Sequence, residues 1–215
     1  LDSLPTQARL NKTCVVAEFG SPQAAQFKNE KGRRDDGTLR VLFAGSLTQR
    51  KGLADLFAAM KLLKGWNVEL VVMGAPVAPL EFYRHQFGGF RYEAPRPHNE
   101  VLELMCACDV FVLPSIVEGR ALVQQEAMAC GLPLIVTPNA GGEDLIDEAR
   151  TGFLVPIRSP EILAGKIAWY ADHREALPEM GAAARAKAAK YTWDAYGQKI
   201  LRAVRTALEK VEVAA

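Results

Sequence analysis

Short runs of consecutive apolar residues alternate along the chain with stretches in which apolar residues recur every third or fourth position. Val41-Leu42-Phe43-Ala44-Gly45 reads as a strand buried on both faces. Beyond a polar turn, Leu53, Leu56, Phe57, Met60 and Leu63 recur at helical spacing until Gly65 stops them. Val68 to Met73, ended by Gly74, is a second such strand; a helix from Ala78 to Gln86 follows Pro76, and Phe90 to Glu93 is a short strand. The rhythm continues with a helix from Asn99 to Cys108, a strand from Val110 to Leu113, a helix from Leu122 to Cys130 stopped by Gly131, and a strand from Leu134 to Val136. Gly141 to Glu148 gives a helical turn or two, and Gly152 to Val155 one more strand before Pro156. From Ser159 the pattern is helical alone, with Glu161 to Asp172 and the alanine-rich Glu179 to Lys190. In the last segment Ile200, Val204, Leu208 and Val211 form an apolar stripe behind a Thr192 cap, which predicts that the end of the chain packs back on a body.

Strands this short and uniformly apolar, separated by helices, require cover on both faces of their sheet. The predicted fold class is therefore α/β, a Rossmann-like open parallel sheet with helices on both faces. Lys28 to Arg40 is charged and dotted with glycine, and reads as a solvated loop. The expected organisation is a single domain over residues 1–215, with a lead-in segment and loop at 1–38, an α/β core at 39–190 and a C-terminal helix at 191–215.

Composition then narrows the function. With 49% apolar and 24% charged residues among 215, the chain can bury a core, which excludes disordered, collagen-like and coiled-coil classes. Its 26 Lys and Arg against 25 Asp and Glu leave a net charge of +1, so there is no broad footprint for nucleic acid or an anionic membrane, and any anion site must be local. Cys14, Cys106, Cys108 and Cys130 match neither a disulfide scaffold nor a zinc site, and read as reduced structural thiols of a cytoplasmic protein. No apolar run approaches the ~20 residues of a membrane helix. The first residues carry neither a basic leader nor an initiator Met, and the chain is expected to be a piece of something longer.

Open parallel α/β sheets bind ligands outside the carboxyl ends of their strands, where helix N-termini aim amide hydrogens outward. The first such loop, Gly45-Ser46-Leu47-Thr48-Gln49-Arg50-Lys51-Gly52, offers two hydroxyls, adjacent cations and a helix start, a chemical fit to a phosphate or diphosphate. Its Lys-Gly-Leu order is not that of a P-loop, and the alternative is a tight turn with solvated cations. A cation in a first helical turn opposes the macrodipole by about 0.3–1 kcal/mol, which favours a bound anion. The second loop runs from Pro114 through Glu118 to Glu126. Glu118 is expected at or just before a helix start, where dipole complementarity is the alternative to a ligand role. Glu126 has Leu122, Val123, Ala129 and Cys130 as its helical neighbours, so it needs either a cation from elsewhere in the fold or a ligand hydroxyl. His85, His98 and His173 lack metal-ligand spacing and read as ordinary surface residues.

Three patterns taken together resemble the donor-binding C-terminal half of family-four retaining glycosyltransferases of the GT-B architecture. They are Gly45-x-Leu47-x-x-x-Lys51-Gly52; Asp109 to Ser115 leading into Glu118-x7-Glu126-Ala127-Met128-Ala129-Cys130-Gly131-Leu132-Pro133; and Ala140-Gly141-Gly142-Glu143-Asp144 with Thr151 to Pro156. The resemblance implies one half of a GT-B enzyme that moves a sugar from a nucleoside diphosphate to an acceptor with retention and without a metal or cofactor. It implies that Lys51 neutralises the diphosphate leaving group, that Glu126 accepts hydrogen bonds from ribose hydroxyls, and that Glu118 with the following amides of Gly119, Arg120, Ala121 and Leu122 holds the donor sugar. Lys51 and Glu118 are the implied catalytic pair. Gly45, Ser46, Arg50 and Ser115 complete the donor cradle, and the loop bearing Arg96 and Pro97 falls where the base is held. The implied partners are a nucleotide-sugar donor and a missing N-terminal acceptor-binding half, through which the protein could attach to the inner face of a membrane.

Departures from the family pattern mark this chain. Ser46 stands where an Arg is usual, with Arg50 as the nearby substitute. Arg120 and Ala121 replace an aromatic residue and a second glycine, and the acidic residue beside the second glycine pair is Asp144. An epimerase or hydrolase on the same scaffold, and a non-catalytic nucleotide-binding module, are the competing classes.

Overall fold

The computed structural model describes residues 14–22 and 37–214. Among these, residues up to Ser21 group with those from Lys190 onward, and those from Pro22 to Ala189 form the second compact unit.

The larger unit is built on six parallel strands: β1 (Leu39–Ala44), β2 (Val68–Met73), β3 (Phe90–Glu93), β4 (Val110–Leu113), β5 (Leu134–Val136) and β6 (Gly152–Leu154), ordered β3-β2-β1-β4-β5-β6. Its helices are α1 (Leu53–Leu62), α2 (Leu80–Gln86), α3 (His98–Cys106), α4 (Val123–Ala129), α5 (Pro160–Asp172) and α6 (Leu177–Ala188). Every residue of β1, β4 and β5 is buried, as a sheet covered on both faces requires. Leu56 and Phe57 of α1, Leu102 and Met105 of α3, and Ile167 and Tyr170 of α5 supply the covering layers. The fold class read from the sequence is the fold observed.

Two differences from the reading of the sequence go beyond a shift of one or two residues at a helix end. Strand β1 begins at Leu39, so Arg40 lies in the sheet rather than in the solvated loop; the rest of that loop, 28–36, lies outside the described residues. The charge of Arg40 is accommodated because its Nε donates to Glu69 Oε2 at 3.1 Å, while its backbone N–H donates to Asp109 Oδ2 at 2.7 Å. Of the helical turn or two expected over 141–148 the chain makes one, the 3-10 turn Glu143–Leu145, with another just ahead at Pro138–Ala140.

Strand order reverses direction between β1 and β4. The crevice at such a switch point, beyond the strands' carboxyl ends, is where an open α/β sheet exposes loops and helix N-termini to a ligand. Two glycines let these loops approach one another. Gly52 has φ 72°, and a Cβ there would lie 1.9 Å from the Pro114 carbonyl oxygen; Gly74 has φ 142°, and a Cβ there would lie 1.9 Å from that of Gly45. Any side chain would prise the segments apart.

The smaller unit holds α7 (Trp193–Ala214), whose start is capped by Thr192 Oγ1 accepting from the Ala195 N–H at 3.0 Å. Phe19 packs on Trp193 and Tyr196, and Lys199 pairs with Glu18. Of the predicted stripe, Ile200, Val204 and Leu208 are 39%, 50% and 59% exposed, and the side chain of Val211 lies outside the described residues. Periodicity locates the apolar face of a helix but carries no information about what covers it.

Candidate functional site

The loop after β1 is held in place from both sides before any ligand is considered. Gly45 N–H donates to the Met73 carbonyl and Leu47 N–H to that of Ala75, both at 2.9 Å. Tyr83 of α2 donates its hydroxyl to Leu47 O at 2.8 Å and accepts from the Val77 and Ala78 amides. On the other side the Ile116 N–H donates to Arg50 O at 2.8 Å, which fastens the loop after β1 to the loop after β4. That second loop is fastened in turn to the 137–140 segment: Glu118 N–H donates to Asn139 O at 2.8 Å, Asn139 Nδ2 to Ile116 O at 2.8 Å, and Gln124 Nε2 to Ala140 O at 2.8 Å.

On this frame Lys51 ends a 3-10 turn, Gln49–Lys51, immediately before α1, with its stem against Gly45. Its Nζ lies 2.6 Å from Glu118 Oε1, and both side chains are nearly buried, at 12% and 11% exposure. Arg50 reaches the same carboxylate oxygen and also donates to Val117 O at 3.3 Å. Two cations therefore share one carboxylate, leaving an excess of positive charge at the crevice floor.

Glu126, near the middle of α4, meets His98 at the first turn of α3, with His98 Nε2 and Glu126 Oε1 3.0 Å apart. The apolar helical neighbours of Glu126 asked for either a distant cation or a ligand hydroxyl, and did not single out the exposed His98. The usable signal was its place: two residues beyond Arg96, at a helix start that opens on the same end of the sheet. Arg120 is also partnered. Its Nη1 and Nη2 donate to the two oxygens of Asp144 at 2.8 and 3.2 Å, and its Nε donates to Gln125 Oε1 at 3.0 Å. Two of the departures from the family pattern, Arg120 and Asp144, thus form one bidentate pair. Arg96 pairs with Glu93 at the end of β3.

Lys51 and Glu126 line one cavity of about 630 Å³, together with Arg96, His98, Glu118 and Arg120. Gly45, Ser46, Arg50, Ala121 and Leu122 also line it. Pro97, Ser115 and Gly119 are not among its lining residues: Pro97 precedes α3 as its cap, and Ser115 is fully buried, its carbonyl accepting from Thr137 Oγ1 at 2.5 Å. The cavity therefore has a doubly cationic floor beside Glu118 and a carboxylate–imidazole pair where α3 and α4 meet.

Behind that meeting point the two helices carry thiols. Cys130 Sγ donates to the Leu102 carbonyl at 3.6 Å, and the neighbouring Cys130 holds the Cys106 thiol below its ordinary range, with Arg185 adding to the effect. Burial pushes the Cys108 thiol up to about 12. Because the thiolate is the nucleophile, iodoacetamide at pH 8 should alkylate Cys106 more than about a hundredfold faster than Cys108. Peptide mass mapping over time checks the order, and equal rates would contradict it.

The fold defines a Rossmann-like domain of the α/β class, with a cationic pocket at the sheet's switch point. Residues 25–187 match the model of the family described as glycosyl transferases group 1, and the chain belongs to that family. It is 32% identical over 183 residues to D-inositol 3-phosphate glycosyltransferase of Corynebacterium glutamicum, an alignment covering 77% of this chain and 44% of that protein. It is likewise 32% identical over 126 residues to alpha-maltose-1-phosphate synthase of Mycolicibacterium smegmatis, covering 54% of this chain and 32% of that one. The chain thus spans less than half the length of either relative.

Among solved structures, sucrose-phosphate synthase from Thermosynechococcus elongatus superposes with a TM-score of 0.72 at 24% identity, covering 89% of this chain and 50% of that chain. Anabaena HepE in complex with UDP gives 0.71 at 20% identity, covering 79% and 49%. Both likenesses concern the fold. Among the described residues no helix is long and apolar enough to cross a membrane.

Proposed function

We propose that this domain binds the nucleoside diphosphate sugar of a retaining, metal-independent glycosyltransferase, and that a second, acceptor-binding half completes the enzyme. The observation that carries the reading is the arrangement of one cavity: Lys51 and Arg50 converge on its floor, and Glu126 lies where α3 and α4 meet. A diphosphate seated against Lys51 directs its nucleoside towards Glu126 and its sugar towards Glu118. Transfer breaks the bond between the anomeric carbon and the diphosphate oxygen, and negative charge accumulates on the departing diphosphate. Fixed cations aimed at that charge stabilise the transition state more than the ground state.

Glu118 pairs with both Lys51 and Arg50. As the diphosphate takes over those cations, the Glu118 carboxylate is released to accept hydroxyl groups of the sugar. Arg50 serves as the second cation of a loop that has Ser46 where the family usually carries an arginine. The acceptor half supplies the other wall of the cleft, orienting the acceptor and excluding water. Retention follows from the family resemblance.

The donor base is found by screening UDP, GDP and ADP, with the UDP of the HepE complex as the first probe. Glu126→Gln should weaken the nucleotide so identified by roughly 1.5–3 kcal/mol, the range for hydrogen bonds to a charged group. Titration calorimetry measures it, and an unchanged affinity would remove Glu126 from the site.

A further inference from the structure

We propose that His98 is a positioning residue for the donor's pentose: its Nε2–H holds Glu126 Oε1, leaving Oε2 to accept a ribose hydroxyl. The inference rests on the nucleotide-binding reading above and assigns a role to a residue outside the three family motifs. Glu126 is a carboxylate on a helix whose neighbouring turns offer no cation, so without a partner its side chain is free to rotate. The 3.0 Å contact with His98 removes that freedom. A carboxylate only accepts hydrogen bonds, so the hydrogen in this contact belongs to Nε2.

The surroundings suit such a clamp. Val101 lies one turn beyond His98 on α3 and Val123 one turn before Glu126 on α4, and all four line the cavity, so each helix presents an apolar and a polar group on one face. His98 is 61% exposed and Glu126 23%, which places the imidazole at the mouth, where an incoming nucleoside would cover it and strengthen its bond to the carboxylate.

The test uses calorimetry on the whole chain with whichever of UDP, GDP and ADP binds best, and with the 2′-deoxy and 3′-deoxy forms of that nucleotide. In the wild type, loss of the hydroxyl held by Glu126 should cost about tenfold in affinity. His98→Phe should shrink that ratio to within about twofold, whereas His98→Gln, which restores a donor at the same reach, should recover most of it. A His98→Phe ratio equal to wild type overturns the proposal, as does a glutamine variant that behaves like phenylalanine, or a wild type indifferent to both hydroxyls. Failure of all three nucleotides to bind the wild type would instead sink the nucleotide-binding reading itself. A role in folding alone weakens ribo and deoxy forms equally and leaves the ratio intact.

Discussion

Lys51→Ala should weaken binding of the cognate nucleoside diphosphate by about a hundredfold while leaving the parent nucleoside within about twofold of wild type. The asymmetry follows from position. Lys51 Nζ is nearly buried against Glu118 at 2.6 Å, so its field is poorly screened where the phosphates would sit and remote from the base. Removal also leaves Glu118 with Arg50 as its sole cation in the contacts described for that carboxylate, converting an anion-attracting floor into a neutral one. In the complete enzyme the same change should lower kcat by about 10²–10³, as for other single donors to a developing anion. Calorimetry with diphosphate and nucleoside in parallel provides the check. Equal losses for both ligands would remove the phosphate role from Lys51.

The second large effect concerns the frame. Gly74→Ala should destabilise the larger unit by about 4 kcal/mol, from a backbone strain of ~1–3 kcal/mol and a comparable overpacking cost. The added Cβ would fall 1.9 Å from the Gly45 carbonyl oxygen, and Gly74 already sits at φ 142°. At about 2–4 °C per kcal/mol for a chain of this size, melting should fall by about 10 °C. A change of less than ~1 °C would mean that the loops after β1 and β2 can separate without cost. Because the strand ends part together, nucleotide binding should weaken as well, which a thermal scan with and without ligand resolves.

The sheet was legible because most of its strands carry a contiguous apolar run bounded by glycine or polar turns, the usual local signature of buried parallel strands. What escaped the sequence shares one cause, that the deciding partner is distant along the chain. Arg40 reads as a loop residue until Glu69, 29 positions on, takes its charge. Arg120 looks like an unpaired departure from the family pattern until Asp144, 24 positions on, meets it. His98 is the exposed residue its sequence suggests, but its partner Glu126, 28 positions away, is brought beside it only by α4. For Glu126 the need was visible in its apolar helical neighbours, and only the identity of the partner was hidden. The exposed stripe on α7 fails in the opposite sense, since its pattern was correct and its cover was assumed.

The loops bordering the crevice are tied to one another largely through peptide groups, Ile116 to Arg50, Glu118 to Asn139 and Leu47 to Ala75. Such ties are blind to side-chain identity. Position 46, where this chain departs from the family pattern, can therefore be exchanged without moving the rim, whereas Arg120 is anchored by Asp144 and Gln125. On the proposed reading Ser46 is the natural dial for retuning donor preference.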